Sequence, residues 1–218
     1  MKRLFDITLS ALGLVVFSPL LIVVAVWVKL DSPGPVFYRG VRAGKGNRQF
    51  GIYKFRSMVS NADRVGGSST SGTDPRVTRS GRFIRAYKID ELSQLINVLS
   101  GDMSLVGPRP EVLSYTSLYT GELLEILTVR PGITDWASIW NADEGAVLAG
   151  ARDPDRAYEI IIQPTKLQLQ LRYVRHHSLW TDTKIIFYTL LRLVNSDFYP
   201  SELHDVQRLV AGAGAAVA

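Results

Sequence analysis

ITLSALGLVVFSPLLIVVAVWV, residues 7–28, runs for roughly 22 positions without a charge, and a helix needs about 20 apolar residues to cross a bilayer. This stretch decides the architecture. It runs into Lys29-Leu30-Asp31 with no small-residue cleavage pattern, which does not fit a removable signal peptide. At its middle stands Ser18-Pro19. Proline removes a backbone donor and clashes with the carbonyl four residues back, so a bend is expected there. Each arm then has about 12 residues and a reach near 18 Å, enough to enter a membrane to its midplane and return. Lys2 and Arg3 precede the segment, and Lys29, Arg39, Arg42 and Lys45 follow it. The positive-inside rule places both flanks on the cytoplasmic side. A re-entrant helix-break-helix satisfies both, with Ser18 available to bond a carbonyl freed at the break. A kinked spanning helix is the alternative that physics alone leaves open.

The chain has 218 residues, a formal charge of +5 and a pI near 9.5. That size suits one domain beside the membrane segment, and the charge attracts phosphates of lipids, nucleotides or nucleic acid alike. There is no cysteine, which excludes disulfides, thiolate metal sites and cysteine nucleophiles. The uncharged Ala/Gly-rich run from Val210 to Ala218 reads as a frayed terminus.

After the turn cluster Asp31-Ser32-Pro33-Gly34-Pro35, the residues Val36-Phe37-Tyr38 and Phe50-Gly51-Ile52-Tyr53 read as a hairpin around the basic loop from Gly40 to Arg48. The spacing within that loop fails the P-loop pattern. Lys54-Phe55-Arg56-Ser57-Met58 interleaves cations with aromatic and apolar side chains, as a phosphate grip or a solvated strand face would. Gly66 to Gly72 is a Ser/Gly-rich linker, and Arg76, Arg79, Arg82 and Arg85 recur at intervals of three.

Leu92, Leu95, Ile96 and Leu99 then mark a helix ended by Gly101, with Asp90-Glu91 at its start. The plain reading of Asp90 is an N-cap. The chemical one is a nucleophile, since a carboxylate can attack a phosphoryl group to give an acyl phosphate. The same pair can hold Mg2+ together with substrate phosphates. Gly107-Pro108-Arg109-Pro110 stiffens the backbone around a single arginine, which suits aiming a guanidinium at phosphate.

Several blocks together carry a resemblance: Lys2-Arg3-Leu4-Phe5-Asp6, Ser18-Pro19, Asp31 to Phe37, Tyr53 to Met58, Asp90-Glu91-Leu92, Asn97-Val98-Leu99, Gly101 to Pro110 and Arg130-Pro131-Gly132-Ile133-Thr134. In order and spacing they resemble the bacterial sugar transferases known as monotopic phosphoglycosyl transferases, in their short form, from the N-terminus to about Val194. The resemblance implies an α+β enzyme, with a re-entrant membrane helix broken at Ser18-Pro19, interfacial amphipathic helices and a small sheet. Its implied location is the cytoplasmic face of the bacterial inner membrane. The implied reaction takes a UDP-sugar and polyprenyl (undecaprenyl) phosphate to polyprenyl-diphosphate-sugar and UMP, with Mg2+ required, at the first membrane step of glycoconjugate assembly. By position Asp90 is the implied nucleophile and Mg2+ contact, Glu91 its dyad partner, and Lys54, Arg85 and Arg109 the phosphate-binding residues.

The resemblance departs at Thr134-Asp135-Trp136-Ala137-Ser138-Ile139-Trp140-Asn141, where a glycine, a glutamine and an Asn-Gly-Arg run are usual in the family, so no sugar-binding role is carried over. Asp135, Asp143 and Glu144 read as solvated turn acids, and Trp136 and Trp140 by default as core. His176-His177 reads as a solvated pair. From Ser178 an apolar helix follows, with Trp180 and Tyr188 placed for interfacial contact and Lys184 and Arg192 for lipid phosphates. The expected division is residues 1–30 as membrane hairpin, 31–200 as catalytic domain and 201–218 as flexible tail. Membrane lipids are expected partners; downstream glycosyltransferases and oligomerisation are open, and nucleic acid is not expected. The competing function is a membrane-anchored basic protein that binds nucleic acid or anionic lipid without catalysis.

Overall fold

The computed structural model describes residues 1–62, 74–142 and 154–206. It combines one long apolar helix with a mixed body of short helices and two small sheets. The helix, α1 (Lys2–Asp31), is continuous through Pro19. Proline 19 has no N–H to give the Val15 carbonyl four residues back, and the Ser18 hydroxyl donates to that carbonyl instead, at 2.8 Å. The bond expected of Ser18 is therefore present, but within one continuous helix rather than the expected helix-break-helix.

Both ends of α1 dock on the same body. At the N-terminal end Asp6, almost fully buried, accepts from Ser104 Oγ at 2.9 Å and from the Leu105 N–H at 3.2 Å. Lys2 reaches Asp182 at 2.6 Å and the Val106 carbonyl at 3.0 Å. Arg3 takes the carbonyls of Val98 and Leu99 at 2.6 and 3.0 Å. At the other end Val24 and Val28 pack with Phe55 and Ile84. Asp31 accepts from the Ser80 N–H and hydroxyl. Between these anchors Leu12, Val15, Val16, Ile22 and Val23 are exposed, and the helix is long and apolar enough to cross a membrane by length and composition.

The hairpin forms as expected, but its arms are longer: β1 (Phe37–Ala43) pairs antiparallel with β2 (Gln49–Phe55), so Gly40 to Ala43 are strand and only Gly44 to Arg48 turn. The stretch after Tyr53 is not a solvated face. Phe55 is core, and Arg56 is buried with its guanidinium spread over the carbonyls of Val28, Ser32 and Pro33 and the Ser60 hydroxyl. Its fixed fork of donors closes the exit from α1.

Helix α2 (Arg79–Ala86) is capped by Thr78, whose side chain accepts from the Gly81 N–H. Arg79, Arg82 and Arg85 lie on it, but Arg76 lies before it and pairs with Asp74, so the row of four is three on a helix. A 3-10 turn, Ile89–Gln94, leads into α3 (Leu95–Ser100), which ends on Gly101 at φ +93°. The buried side of this unit is Ser93, Gln94, Leu95, Asn97 and Val98, while Leu99 is exposed. Asn97 is on the buried side because it spends its amide on the β2 backbone, accepting from the Tyr53 N–H and donating to the Gly51 carbonyl.

Strand β3 (Ser104–Val106) pairs parallel with β4 (Gly132–Thr134), joined through α4 (Leu113–Thr116) and a 3-10 turn, Gly121–Thr128. Gly107 and Gly132 let the backbones touch: a Cβ on Gly132 would lie 2.1 Å from the Gly107 nitrogen. Helix α5 (Trp136–Trp140), α6 (Pro154–Ala157), α7 (Gln163–His176) and α8 (Leu179–Val194) complete the body, with a π turn, Tyr158–Ile162, leading into α7. Their core joins Val106, Trp136, Ile139, Leu169, Tyr173 and Ile185. Leu203 and Val206 belong to it too, so residues 201–206 are folded against the body rather than part of a loose tail. Trp136 is core as expected, and Trp140 packs against it.

On α8, Trp180, Phe187, Leu190 and Leu193 are exposed, an apolar face suited to a membrane surface. Tyr188 turns inward to Trp136 and Phe198 and donates to Glu202. Lys184 also pairs with Glu202, and Arg192 bonds the Ser196 and Phe198 carbonyls, so neither cation is reserved for lipid phosphates. The linker from Gly66 to Gly72, Asp143, Glu144 and the run from Val210 lie outside the described residues.

Lys166 on α7 is buried against Glu111 and Tyr158: Tyr158 donates to Glu111 at 2.9 Å and Lys166 donates to Tyr158 at 2.7 Å, while Lys166 also pairs directly with Glu111. Burial alone would raise the Glu111 pKa, but Lys166 outweighs it and holds the carboxyl below its ordinary value of 4.5. A depressed folded-state pKa gives stability that is complete above the unfolded value and lost as pH falls through the folded one. Glu111→Gln should therefore destabilise the protein at pH 7 by about 3 kcal/mol, as expected for one partner removed from a buried pair. The gap to wild type in thermal midpoint should close below pH 4.5; a gap unchanged down to pH 3 would mean the Glu111 charge carries none of it.

Candidate active site

Asp90 and Glu91 stand in the first turn after Lys88, whose backbone is left-handed at φ +56°. Lys88, not Asp90, is the N-cap, and no side-chain capping bond is made there. The plain explanation of Asp90 as a cap therefore fails. Its backbone carbonyl is held by Ser93 Oγ at 3.0 Å, and that hydroxyl also reaches the Tyr53 carbonyl, which fixes the turn against β2.

The two acids have opposite environments. Glu91 receives both nitrogens of the Arg109 fork, Nη1 on Oε2 at 3.0 Å and Nη2 on Oε1, and Lys54 Nζ on Oε1 at 3.0 Å. Burial pushes its pKa up, but Arg109 and Lys54 overcome that and hold it well below the carboxylate range. Asp90 accepts no side-chain hydrogen bond among the described residues, and its nearest cation is Lys54 at 4.0 Å. Burial pushes its pKa up, only partly countered by Lys54, while the Glu91 charge raises it further.

Lys54 and Arg109, the expected phosphate-binding residues, converge on the acidic pair. Arg85 is half-buried on α2, and its charge favours the ionised form of Asp90 without a direct pair. Ser18 and Pro19 lie in the apolar middle of α1, away from this cluster in the chain. Among the described residues no three acids or histidines are grouped to hold a metal. With both Glu91 oxygens engaged, Asp90 is the carboxylate left for an ion. One carboxylate is enough for Mg2+ when substrate phosphates supply further oxygens, so the residues present fit that use.

Asp135 is a correction. Instead of a solvated turn acid it is fully buried at the end of β4. Oδ1 accepts from the Ser138 N–H and hydroxyl, both at 2.7 Å, capping α5. Oδ2 accepts from the Arg109 N–H at 3.2 Å and from Gln170 Nε2 at 3.4 Å. Sequence reading missed both Asp135 and Gln170. The available signal was Pro108-Arg109-Pro110, in which only Arg109 has an amide to donate.

The family model for bacterial sugar transferase matches residues 1–196. A UDP-N-acetylgalactosamine-undecaprenyl-phosphate N-acetylgalactosaminephosphotransferase of Aeromonas hydrophila is 42% identical over 192 residues, which cover 87% of this chain and 42% of that protein. A UDP-glucose:undecaprenyl-phosphate glucose-1-phosphate transferase of Caulobacter vibrioides is 38% identical over 199 residues, covering 90% and 70%. The uncharacterized sugar transferase EpsL of Bacillus subtilis is 35% identical over 214 residues, covering 98% and 97%. The chain thus spans less than half of the Aeromonas relative and nearly all of EpsL. With the match covering every residue of the acidic pair and its cations, the chain belongs to the bacterial sugar transferase family.

Proposed function

We propose that this protein transfers the sugar phosphate of a UDP-sugar to undecaprenyl phosphate through a covalent intermediate on Asp90. The observation that carries this reading is the division of labour between adjacent acids. Glu91 is neutralised by Arg109 and Lys54, whereas Asp90 keeps its oxygens free beside the same cations. Relatives named as UDP-sugar:undecaprenyl-phosphate transferases support the donor and acceptor classes.

An Asp90 oxygen attacks the sugar-bearing phosphorus, the bond to the bridging oxygen breaks, and UMP leaves with that oxygen and the electron pair. An oxygen of undecaprenyl phosphate then attacks the same phosphorus, and the Asp90 carboxylate departs to leave the diphosphate-linked sugar. Lys54, Arg85 and Arg109 surround the phosphates with positive charge as they become more negative. Asp90 would be the residue to hold Mg2+, which would supply further charge neutralisation at the donor phosphates.

The reading places α1 in the membrane as a re-entrant element on the cytoplasmic face of the inner membrane. Support comes from the docking of its two ends on one body, the exposed apolar middle and the Ser18 bond to the Val15 carbonyl beside Pro19. The noncatalytic alternative of a basic anchor gives no reason for a second buried acid beside Glu91 whose nearest cation stands 4.0 Å away.

UMP release by purified protein in nanodiscs, with Mg2+, undecaprenyl phosphate and a panel of UDP-sugars, tests the chemistry. Turnover of at least one sugar is expected, and Asp90→Asn should lower it by at least about 1,000-fold with membrane binding retained. An active Asp90→Asn would sink the nucleophile. Because the chain has no cysteine, Leu4→Cys and Leu30→Cys each introduce a single exposed thiol. An impermeant maleimide should label both from the same side of inverted vesicles; labelling from opposite sides would mean α1 spans.

A further inference from the structure

We infer that Asp135 and Gln170 are positioning residues that clamp the Arg109 peptide and thereby aim its guanidinium at Glu91. The inference deepens the proposed transferase reading and rests on it for its catalytic consequence. Two backbone bonds tie the segment after β3 to β4: the Gly107 N–H bonds the Thr134 carbonyl and the Gly132 N–H bonds the Pro108 carbonyl, each at 3.0 Å. Beyond Thr134 the ladder ends, because α5 begins. The Asp135 side chain extends it by one rung, taking the Arg109 N–H at 3.2 Å. Neither Pro108 nor Pro110 has an N–H, so this is the one amide in the tripeptide through which its backbone can be held as a donor. Gln170 on α7 grips the other end of the residue, donating to the Arg109 carbonyl and to Asp135 Oδ2, each at 3.4 Å.

The cost of this arrangement argues that it has a use. Asp135 and Gln170 are both fully buried, and Asp135 has no cation partner among the described residues, only neutral donors from Ser138, Arg109 and Gln170. A buried carboxylate without a counter-charge is expensive, and capping a five-residue helix requires only the oxygen facing Ser138. The second oxygen is committed to the arginine. From there the path is short: Arg109 holds Glu91 with both nitrogens, and Glu91 adjoins Asp90.

Asp135→Asn keeps an oxygen for Ser138 but turns an NH2 toward the Arg109 N–H, so the cap survives and the rung is lost. The readouts are kcat for UMP release and amide hydrogen exchange at Arg109, the only exchangeable amide between the two prolines. Exchange there should speed at least tenfold and kcat should fall 10- to 100-fold, the range for about 1 Å of misplacement, with the thermal midpoint little changed. In an Arg109→Ala background the same substitution should lower residual kcat less than twofold, because its effect passes through the arginine. Ser138→Ala, on the other oxygen, should leave kcat within twofold of wild type. Should Asp135→Asn fail to fold, Gln170→Leu is read by the same measures. Unchanged Arg109 exchange, unchanged kcat, or an equal fold loss in both backgrounds would overturn the clamp. Absence of wild-type turnover with every UDP-sugar would instead overturn the transferase reading, and the exchange rate at Arg109 would still judge the clamp.

Discussion

The charge of Glu91, shared between Arg109 and Lys54, is the contact around which the body is organised. Its partners come from two separate sheets: Lys54 from the antiparallel hairpin and Arg109 from the segment after the parallel pair. Removing Glu91 would leave Lys54 and Arg109 facing each other without their shared counter-charge, so the hairpin, the Asp90 turn and the proline-framed segment are held together through it. Asp90 takes its position from that arrangement, with its backbone carbonyl held by Ser93 and only Lys54, at 4.0 Å, as an ion partner among the described residues. That is a sound basis for a reactive group, since its oxygens remain available for chemistry instead of stability.

The membrane helix is built into the same frame. Asp6 and Lys2 tie its start to β3 and α8, and Arg56, one residue beyond β2 and two beyond Lys54, gathers the carbonyls at its end. A displacement of α1 would therefore reach the strand that carries Lys54. Apolar residues of α1 and α8 are exposed around this body.

Much of this was legible in the chain. The apolar run with its central Ser-Pro, the hairpin punctuation, Gly101 as a helix stop and the cluster of Asp90, Glu91, Lys54 and Arg109 all follow from local patterns and from the family blocks. What local pattern misjudged were polar residues turned inward. Asp135 resembled a solvated acid and Arg56 part of a solvated strand face, yet each is buried because a distant backbone needs its hydrogen bonds. Tyr188 and Lys184 were drawn inward by Glu202 in the same way, from a segment that composition alone assigns to a tail.

By itself the sequence determined the apolar helix, the hairpin and its turn in outline, the helix stop at Gly101, and the identity of the acids and bases, because these depend on residue type and near-neighbour spacing. Only the tertiary structure decided which acid is neutralised and which stays free, that both ends of α1 meet one body, and that Asp135 and Gln170 hold Arg109. Each of these is a contact between residues far apart in the chain, where burial sets the strength of charge and hydrogen bonding, and no local pattern records what a side chain will face once the core has closed.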